Sequence, residues 1–175
     1  MSRAGRMARS KLVEPIELSG LLREERSDGC RVVFTNGCFD LLHRGHLQLL
    51  EAAAGQGDLL VVAVNRDASV RRIKGAGRPI VTFEDRALLL CGLEAVDWVV
   101  GFDEETPLAL IETLQPDVIV KGTDWAPERI VGREQVEARG GRVVRVPLLE
   151  ERSTSRLLER LEKVDDSGSR SWPPT

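Results

Sequence analysis

Five short runs of mainly apolar residues recur along the chain. They lie at residues 31–37, 58–65, 95–102, 117–122 and 142–148. Strands that read as nearly continuous apolar runs are typical of a parallel sheet covered by helices on both faces. The pattern therefore predicts a five-stranded parallel sheet.

The segments between these runs have apolar residues at helical spacing. The predicted helices cover residues 17–26, 43–57, 83–94, 106–115, 127–141 and 153–164, while residues 67–79 begin as a helical turn and end in a glycine-rich loop. Thr82 and Ser153 suit the capping position of a helix, and Pro107 suits a first helical turn. Alternating strands and helices joined by right-handed crossovers predict a doubly wound, Rossmann-like α/β domain.

The 175 residues suit one domain. We expect residues 1–29 to form an N-terminal lead-in and a short helix, with residues 1–15 basic and mobile. Residues 30–164 form the predicted domain, and the polar, proline-ending tail at 165–175 is expected to be disordered.

Composition and charge exclude several classes of protein. Hydrophobic residues make up 42% and charged residues 30%, which is ordinary for a globular protein. A net charge of -3 gives no overall basic field for nucleic acid. No apolar run reaches the ~20 residues of a membrane span. Three cysteines without a Cys-x-x-Cys pair argue against a disulfide scaffold and predict a cytoplasmic protein.

In such folds ligands bind at the carboxyl ends of the strands, which here lead into loops 36–46, 65–79, 102–106 and 121–127. The first loop holds the only two histidines of the chain, His43 and His46. Imidazoles three residues apart lie on one face of a helix, and a helix N-terminus supplies unpaired N–H groups. The loop therefore indicates a site for an anion such as phosphate. Two alternatives to an anion site are that the histidines supply two of the four ligands of a zinc ion, or that they are a purely structural pair.

The segment TNGCFDLLHRGHLQLL at residues 35–50 resembles the signature of the cytidylyltransferase-like nucleotidyltransferases, in which a Gly-x-Phe-Asp turn precedes His-x-Gly-His. Further segments are similar to the heptose 1-phosphate adenylyltransferases of that superfamily. These segments lie at residues 61–80, 84–100, 116–125 and 153–155. The resemblance implies the HIGH-type nucleotidyltransferase fold.

The resemblance also implies a reaction. AMP would pass from ATP to D-glycero-β-D-manno-heptose 1-phosphate, giving ADP-heptose, a lipopolysaccharide precursor, and pyrophosphate. Mg²⁺ is expected to bind mainly through the triphosphate. The implied partners are ATP and a sugar 1-phosphate, with no nucleic acid or membrane and a possible homodimer.

Two alternatives stay open. One is cytidylyl transfer to glycerol 3-phosphate or another small phosphate, and the other is a catalytically silent nucleotide-binding module. Leu148 and Leu149 stand where some related cytidylyltransferases have an Arg-Thr pair, which favours the heptose branch.

The predicted catalytic residues are His43, His46 and Lys74, with Lys74 on a mobile loop that closes over the phosphates. The other predicted nucleotide- or phosphate-binding residues are Asn36, Gly37, Phe39, Asp40, Gly45, Asn65, Arg78, Arg86, Lys121, Gly122, Asp124, Ser153 and Thr154.

Some of these positions have a second interpretation. Asp40 either holds magnesium or orients a neighbour. Arg78 and Arg86 are either phosphate ligands or solvated surface charges. Asp67 is expected to cap a helix, and Cys38 to be a small buried filler.

Overall fold

The centre of the computed structural model, which describes residues 7–147, is a five-stranded parallel sheet. The strands are β1 (Val32–Gly37), β2 (Leu59–Asn65), β3 (Trp98–Phe102), β4 (Val118–Gly122) and β5 (Arg142–Val146). Their order is β3-β2-β1-β4-β5, so the direction of winding reverses between β1 and β4. The predicted Rossmann-like parallel sheet is confirmed.

Helices cover both faces of this sheet. They are α1 (Pro15–Ser27), α2 (Arg44–Ala54), α3 (Asp67–Lys74), α4 (Phe83–Cys91), α5 (Leu108–Leu114) and α6 (Arg133–Ala138), with 3-10 helices at Ala8–Lys11 and Pro127–Arg129. One apolar layer packs under α2 and α4, and the other under α1, α5 and α6. Successive β1 residues enter opposite layers, which explains the continuous apolar runs. No helix within residues 7–147 has the length and apolar character needed to cross a membrane.

The start of α4 follows the sequence pattern closely. Thr82 is its N-cap, and the Thr82 hydroxyl accepts a hydrogen bond from the Asp85 N–H at 3.4 Å. The predicted cap is confirmed. Pro107 lies directly before α5 and not inside its first turn.

Three aspartates, each just before a strand, connect neighbouring strands at their amino ends. In each case one carboxylate oxygen accepts a backbone N–H from the adjacent strand segment. The pairs are Asp58 with Arg31 (2.7 Å), Asp97 with Leu60 (2.7 Å) and Asp117 with Val32 (2.8 Å). A slip of one residue would turn every side chain to the wrong face, so these bonds help to set the register.

The segment before α1 is paired with the sheet, contrary to the predicted mobile lead-in. Leu12 forms a parallel bridge with Val99 at the outer edge of β3. Lys11 Nζ donates to the carbonyls of Leu93 and Val96, at 3.2 and 2.8 Å. These are long-range contacts, so no local pattern in the sequence signals them.

We predict that Asp97→Ala lowers the free energy of unfolding by about 2 kcal/mol, because it leaves the buried Leu60 N–H without its acceptor. Asp97 is 5% exposed, whereas the matched bond of Asp58 lies in an exposed setting. Asp58→Ala should therefore lower the free energy of unfolding by clearly less than Asp97→Ala does. Urea unfolding of both variants tests this, and equal losses would contradict it.

Candidate active site

A cavity of about 670 Å³ opens at the carboxyl ends of the strands, where the winding reverses between β1 and β4. Most of its walls come from the predicted loops 36–46, 65–79, 102–106 and 121–127, and the remainder comes from Pro107 and residues 129–131. The predicted site residues that line it are Asn36, Gly37, Phe39, Asp40, His43, His46, Asn65, Lys74, Arg78, Lys121 and Asp124. The fold thus brings together side chains from positions far apart in the chain.

The two histidines stack at the start of α2. His43 has extended backbone and is the N-cap, and its Nδ1 accepts the Gly45 N–H at 3.1 Å. His43 therefore precedes the helix instead of lying within it, but the predicted placement of both histidines on one side holds, because their rings stack and line the same cavity. His46 lies in the first turn, and the ring centroids are 3.8 Å apart at an interplanar angle of 20°. Because Nδ1 of His43 is an acceptor, the neutral ring has its proton on Nε2.

His46 is neutral at physiological pH. Burial lowers the pKa of His46 to about 4, the adjacent His43 acts in the same direction, and a backbone hydrogen bond with Leu41 opposes them. The Phe39 ring packs against His46 with centroids 5.2 Å apart. A neutral imidazole can still donate one hydrogen bond to a phosphate oxygen.

The buried carboxylate of Asp40 organises the loop before α4. It accepts hydrogen bonds from Arg78 Nη1 (2.7 Å) and from the N–H groups of Ile80 (2.7 Å) and Val81 (3.2 Å). Burial raises the pKa of Asp40, but these hydrogen bonds outweigh burial and hold the pKa below its ordinary value. This geometry agrees with the second predicted role of Asp40, which is to orient a neighbouring residue. Arg78 is a partly buried residue of the cavity wall.

Asn65 links the end of β2 to α3 and to the loop after β1. Its Nδ2 donates to Ser69 Oγ at 3.0 Å, and the Cys38 thiol lies 3.8 Å from its Oδ1. Ser69 Oγ in turn donates to the Glu104 carbonyl at 3.1 Å. Burial raises the pKa of Cys38, so its thiol stays protonated, in agreement with a packing role.

Arg86 differs from both of its predicted roles. It is 1% exposed, so it is not a surface charge. Its three guanidinium nitrogens donate to the carbonyls of Val81, Cys38 and Asn65 and to the carboxylate of Asp67. A guanidinium engaged in this way supports the loops behind the cavity, and it does not line the cavity.

Asp67 is also not the predicted cap. It is the first residue of α3, the N-cap is Arg66, and no side-chain capping bond forms there. The Asp67 carboxylate pairs with Arg86 at 2.7 Å. The carboxylate is thus the anionic partner of a buried cation.

Lys121 supplies a buried cation to the opposite wall. Its Nζ donates to the Asn36 carbonyl at 2.9 Å and lies 5.3 Å from the centroid of the Trp125 ring. Burial lowers the pKa of Lys121 to about 8, although Asp124 and Cys38 act to raise it. The ammonium remains largely charged at neutral pH and lies beside the cavity.

Lys74 is helical, contrary to the predicted loop position. It is the last residue of α3, and Gly75, with φ of 100°, ends the helix directly after it. The exposed Lys74 side chain lines the cavity.

Several lining residues were missed by the sequence analysis. They are Val70, Ile73, Glu105, Thr106, Pro107, Trp125, Arg129, Ile130 and Val131. The last three fall inside the helix predicted over 127–141, which the structure divides before α6. Gly132 explains the division, because its φ is 84° and a Cβ there would lie 2.5 Å from Ile111 Cδ1. This glycine within a helical pattern was the available signal.

The remaining predictions fall behind the cavity or beyond the described residues. Gly45 acts through the N–H that His43 accepts, and the Gly122 carbonyl accepts the Trp125 N–H at 3.2 Å. Ser153, Thr154, Leu148, Leu149, the helix over 153–164 and the tail over 165–175 lie outside residues 7–147. Within that range, no three His, Cys, Asp or Glu side chains group as a metal site.

Comparison with known families and proteins matches this chain to one family. The cytidylyltransferase-like family matches residues 34–160. The bifunctional protein HldE of Citrifermentans bemidjiense is 53% identical over 87% of this chain, and that of Geotalea uraniireducens is 55% identical over 82%. The chain spans only 31% and 29% of these two relatives.

A solved structure has the same fold. The lipopolysaccharide core biosynthesis protein from Thermoplasma volcanium GSS1 is 28% identical, with a TM-score of 0.59. The match covers 69% of this chain and 99% of that protein.

We predict that His46 makes the stability of the protein depend on pH. The pKa of His46 is about 4 in the folded protein and near 6.5 when unfolded. Between these values the unfolded chain binds more protons, so stability falls as pH falls from about 6.5 toward 4. His46→Gln lacks this contribution and should lose less stability over the same range. Urea unfolding from pH 4 to 7 is the measurement, and parallel curves for both proteins would contradict the prediction.

Proposed function

The chain belongs to the cytidylyltransferase-like family, and we propose that it transfers AMP from ATP to D-glycero-β-D-manno-heptose 1-phosphate, giving ADP-heptose and pyrophosphate. One observation supports the chemistry above all. The stacked His43 and His46 at the start of α2 face the same cavity as Lys74, Arg78 and Lys121. The heptose acceptor rests on the similarity of separate segments to heptose 1-phosphate adenylyltransferases and on the lipopolysaccharide role in the name of the structural relative.

The reaction requires positioning and charge stabilisation. An oxygen of the sugar phosphate attacks the α-phosphorus of ATP, the bond to the β-phosphate breaks, and pyrophosphate leaves. No covalent enzyme intermediate is needed, so the protein must align the groups and stabilise the additional negative charge.

The histidine pair is proposed to stabilise that charge. His43 is held in place by the Gly45 N–H, and His46 by packing between the rings of His43 and Phe39. Imidazoles oriented before the substrate arrives lose little energy to reorganisation when they donate to phosphate oxygens. The N–H groups at the start of α2 add a favourable field for an anion.

The cations on the two walls are proposed to hold the triphosphate and the acceptor phosphate between them. Lys121 is buried, so its charge is weakly screened and acts strongly on a nearby phosphate. Arg78 is oriented by Asp40, and Lys74 stands at the end of α3. A bound phosphate would in turn favour the protonated form of Lys121.

Magnesium is proposed to enter with the nucleotide. Residues 7–147 do not fit a protein-bound Mg²⁺, because no three His, Cys, Asp or Glu side chains group there as a metal site and Asp40 is already engaged by Arg78 and two backbone N–H groups. Mg²⁺ usually keeps several waters and binds substrate phosphates, so the triphosphate can hold it.

We place the reaction in the cytoplasm, in line with the free thiols of Cys30, Cys38 and Cys91. The homodimer stays a prediction.

We predict that ATP with heptose 1-phosphate has the highest kcat/KM among pairs of nucleoside triphosphates and phosphorylated acceptors, and that glycerol 3-phosphate is a poor acceptor. Acceptor discrimination through hydroxyl groups can be large, because unpaired buried polar groups are costly. Pyrophosphate release across the panel is the measurement. If CTP with glycerol 3-phosphate is the best pair, the proposed heptose acceptor is wrong. If every pair is inactive, the alternative of a catalytically silent nucleotide-binding module is favoured instead.

We predict that His43→Ala and His46→Ala each lower turnover by about 10²–10³-fold, because each removes one oriented donor from the phosphates. Circular dichroism should show that both variants remain folded, and steady-state kinetics measures the loss. Arg23→Ala, an exposed change on α1, serves as the control with unchanged turnover. Activity within about threefold of the wild type in either histidine variant would refute the assignment.

A further inference from the structure

Trp125, in the turn after β4, is an exposed aromatic residue in the wall of the cavity. It is 45% exposed. The other aromatic residues in the described part of the chain are at most 6% exposed, and they are Phe34, Phe39, Phe83, Trp98 and Phe102. A tryptophan stabilises a fold most when its large apolar ring is buried, so this ring contributes less to the fold than it could. Ligand cavities, by contrast, are commonly lined by aromatic side chains.

The backbone holds this tryptophan in place. Its N–H donates to the Gly122 carbonyl at 3.2 Å, and the Thr123 N–H donates to the Val146 carbonyl at 3.0 Å. The Lys121 ammonium lies over the ring, 5.3 Å from the centroid. The side chain thus extends from a hydrogen-bonded turn, and its exposed surface is available to a planar group in the cavity.

Three of the apolar residues that line the cavity are close to one another: Pro107, Ile130 and Val131. Ile130 and Val131 follow the tryptophan directly after the 3-10 helix that ends at residue 129. The Pro107 carbonyl accepts the Ile111 N–H at 3.0 Å, and a Cβ on Gly132 would lie 2.5 Å from Ile111 Cδ1. These contacts bring the start of α5 to the segment before α6. Together with the tryptophan, the three residues form what we call the apolar wall.

The groups suited to phosphate come from the other side of the sheet. His43 and Arg78 precede α2 and α4, which cover one face. The apolar wall contains the segments that precede α5 and α6, which cover the opposite face. Glu105 and Asp124 also line the cavity, each close in sequence to a residue of the apolar wall. Carboxylates repel a phosphate and can accept a hydroxyl, so this side of the cavity suits a part of a substrate other than its phosphates.

ATP has surfaces that match both sides. Its triphosphate is complementary to the histidines and cations, and its adenine is a flat ring whose faces are weakly polar. A ribose hydroxyl between them can donate to a carboxylate. A heptose, in contrast, has hydroxyls around its ring, and these lose hydrogen bonds to water when they are placed against apolar groups.

We infer that Trp125 stacks on the adenine of ATP, which makes it a specificity-determining residue for the nucleotide. This inference rests on the proposed function, since ATP is the proposed donor. Stacking of a base on an aromatic side chain changes affinity by about tenfold or more. Adenine offers a larger face than cytosine, so the same contact favours ATP over CTP.

The test is calorimetric binding to the wild-type chain and to Trp125→Ala. The probes are ATP, tripolyphosphate and heptose 1-phosphate. Trp125→Ala should weaken ATP by about tenfold and leave the other two probes unchanged. Trp125→Phe keeps an aromatic face and should retain most of the ATP affinity. Leu89→Ala is the matched control, because Leu89 is an apolar residue of α4 that is 57% exposed and does not line the cavity, so ATP binding should not change.

A fluorescence measurement keeps the test decisive if Trp125→Ala does not fold. The chain has three tryptophans, and Trp172→Phe leaves only Trp98, which is buried, and Trp125. In that variant ATP should quench the tryptophan emission, because a stacked base lies against the exposed ring, and tripolyphosphate should not. Emission that saturating ATP leaves unchanged would overturn the inference.

The outcomes separate the two proposals. If the wild-type chain binds neither ATP nor heptose 1-phosphate, the proposed function fails and the inference fails with it. If it binds both, and folded Trp125→Ala binds ATP equally well, only the inference is overturned. Weaker binding of heptose 1-phosphate alone would assign the ring to the acceptor, and equal weakening of ATP and tripolyphosphate would show that it acts through Lys121. Both results overturn the inference and leave the proposed function standing.

Discussion

The buried guanidinium of Arg86 holds together the segments that surround the candidate active site. It bonds to carbonyls at the end of β1, at the end of β2 and before α4, and to the Asp67 carboxylate at the start of α3. A cation with 1% exposure is tolerated only where it is paired and hydrogen-bonded, so these segments must keep their relative positions. Since Cys38 follows Gly37 and precedes the histidine loop, the position of the histidines depends on this network.

The polar residues of the site fall into two groups: those that support the walls and those whose side chains can bind a ligand in the cavity. Asp40 and Asn65 use their side chains on neighbouring protein groups, so a ligand would have to compete for them. The histidine pair and Lys121 are held in place by hydrogen bonds and ring contacts and still line the cavity.

Family membership and geometry support different parts of the functional conclusion. Membership of the cytidylyltransferase-like family sets the class of reaction, and the cavity supplies donors suited to phosphates. The acceptor sugar rests on sequence similarity. The bifunctional relatives are about three times as long as the matched region, so the chain corresponds to one part of such proteins.

The sequence by itself determined the parallel sheet, the Thr82 cap, and the loop that holds His43 and His46. These features follow from local patterns: continuous apolar runs, capping chemistry and a short motif. The tertiary structure decided the rest. Arg86 and Asp67 have roles other than the predicted ones because their partners lie some twenty to fifty residues away in the sequence. Lys11 donates to carbonyls more than eighty residues along the chain. Whether a charged side chain binds a ligand or supports a wall depends on such distant partners, and no local pattern contains that information.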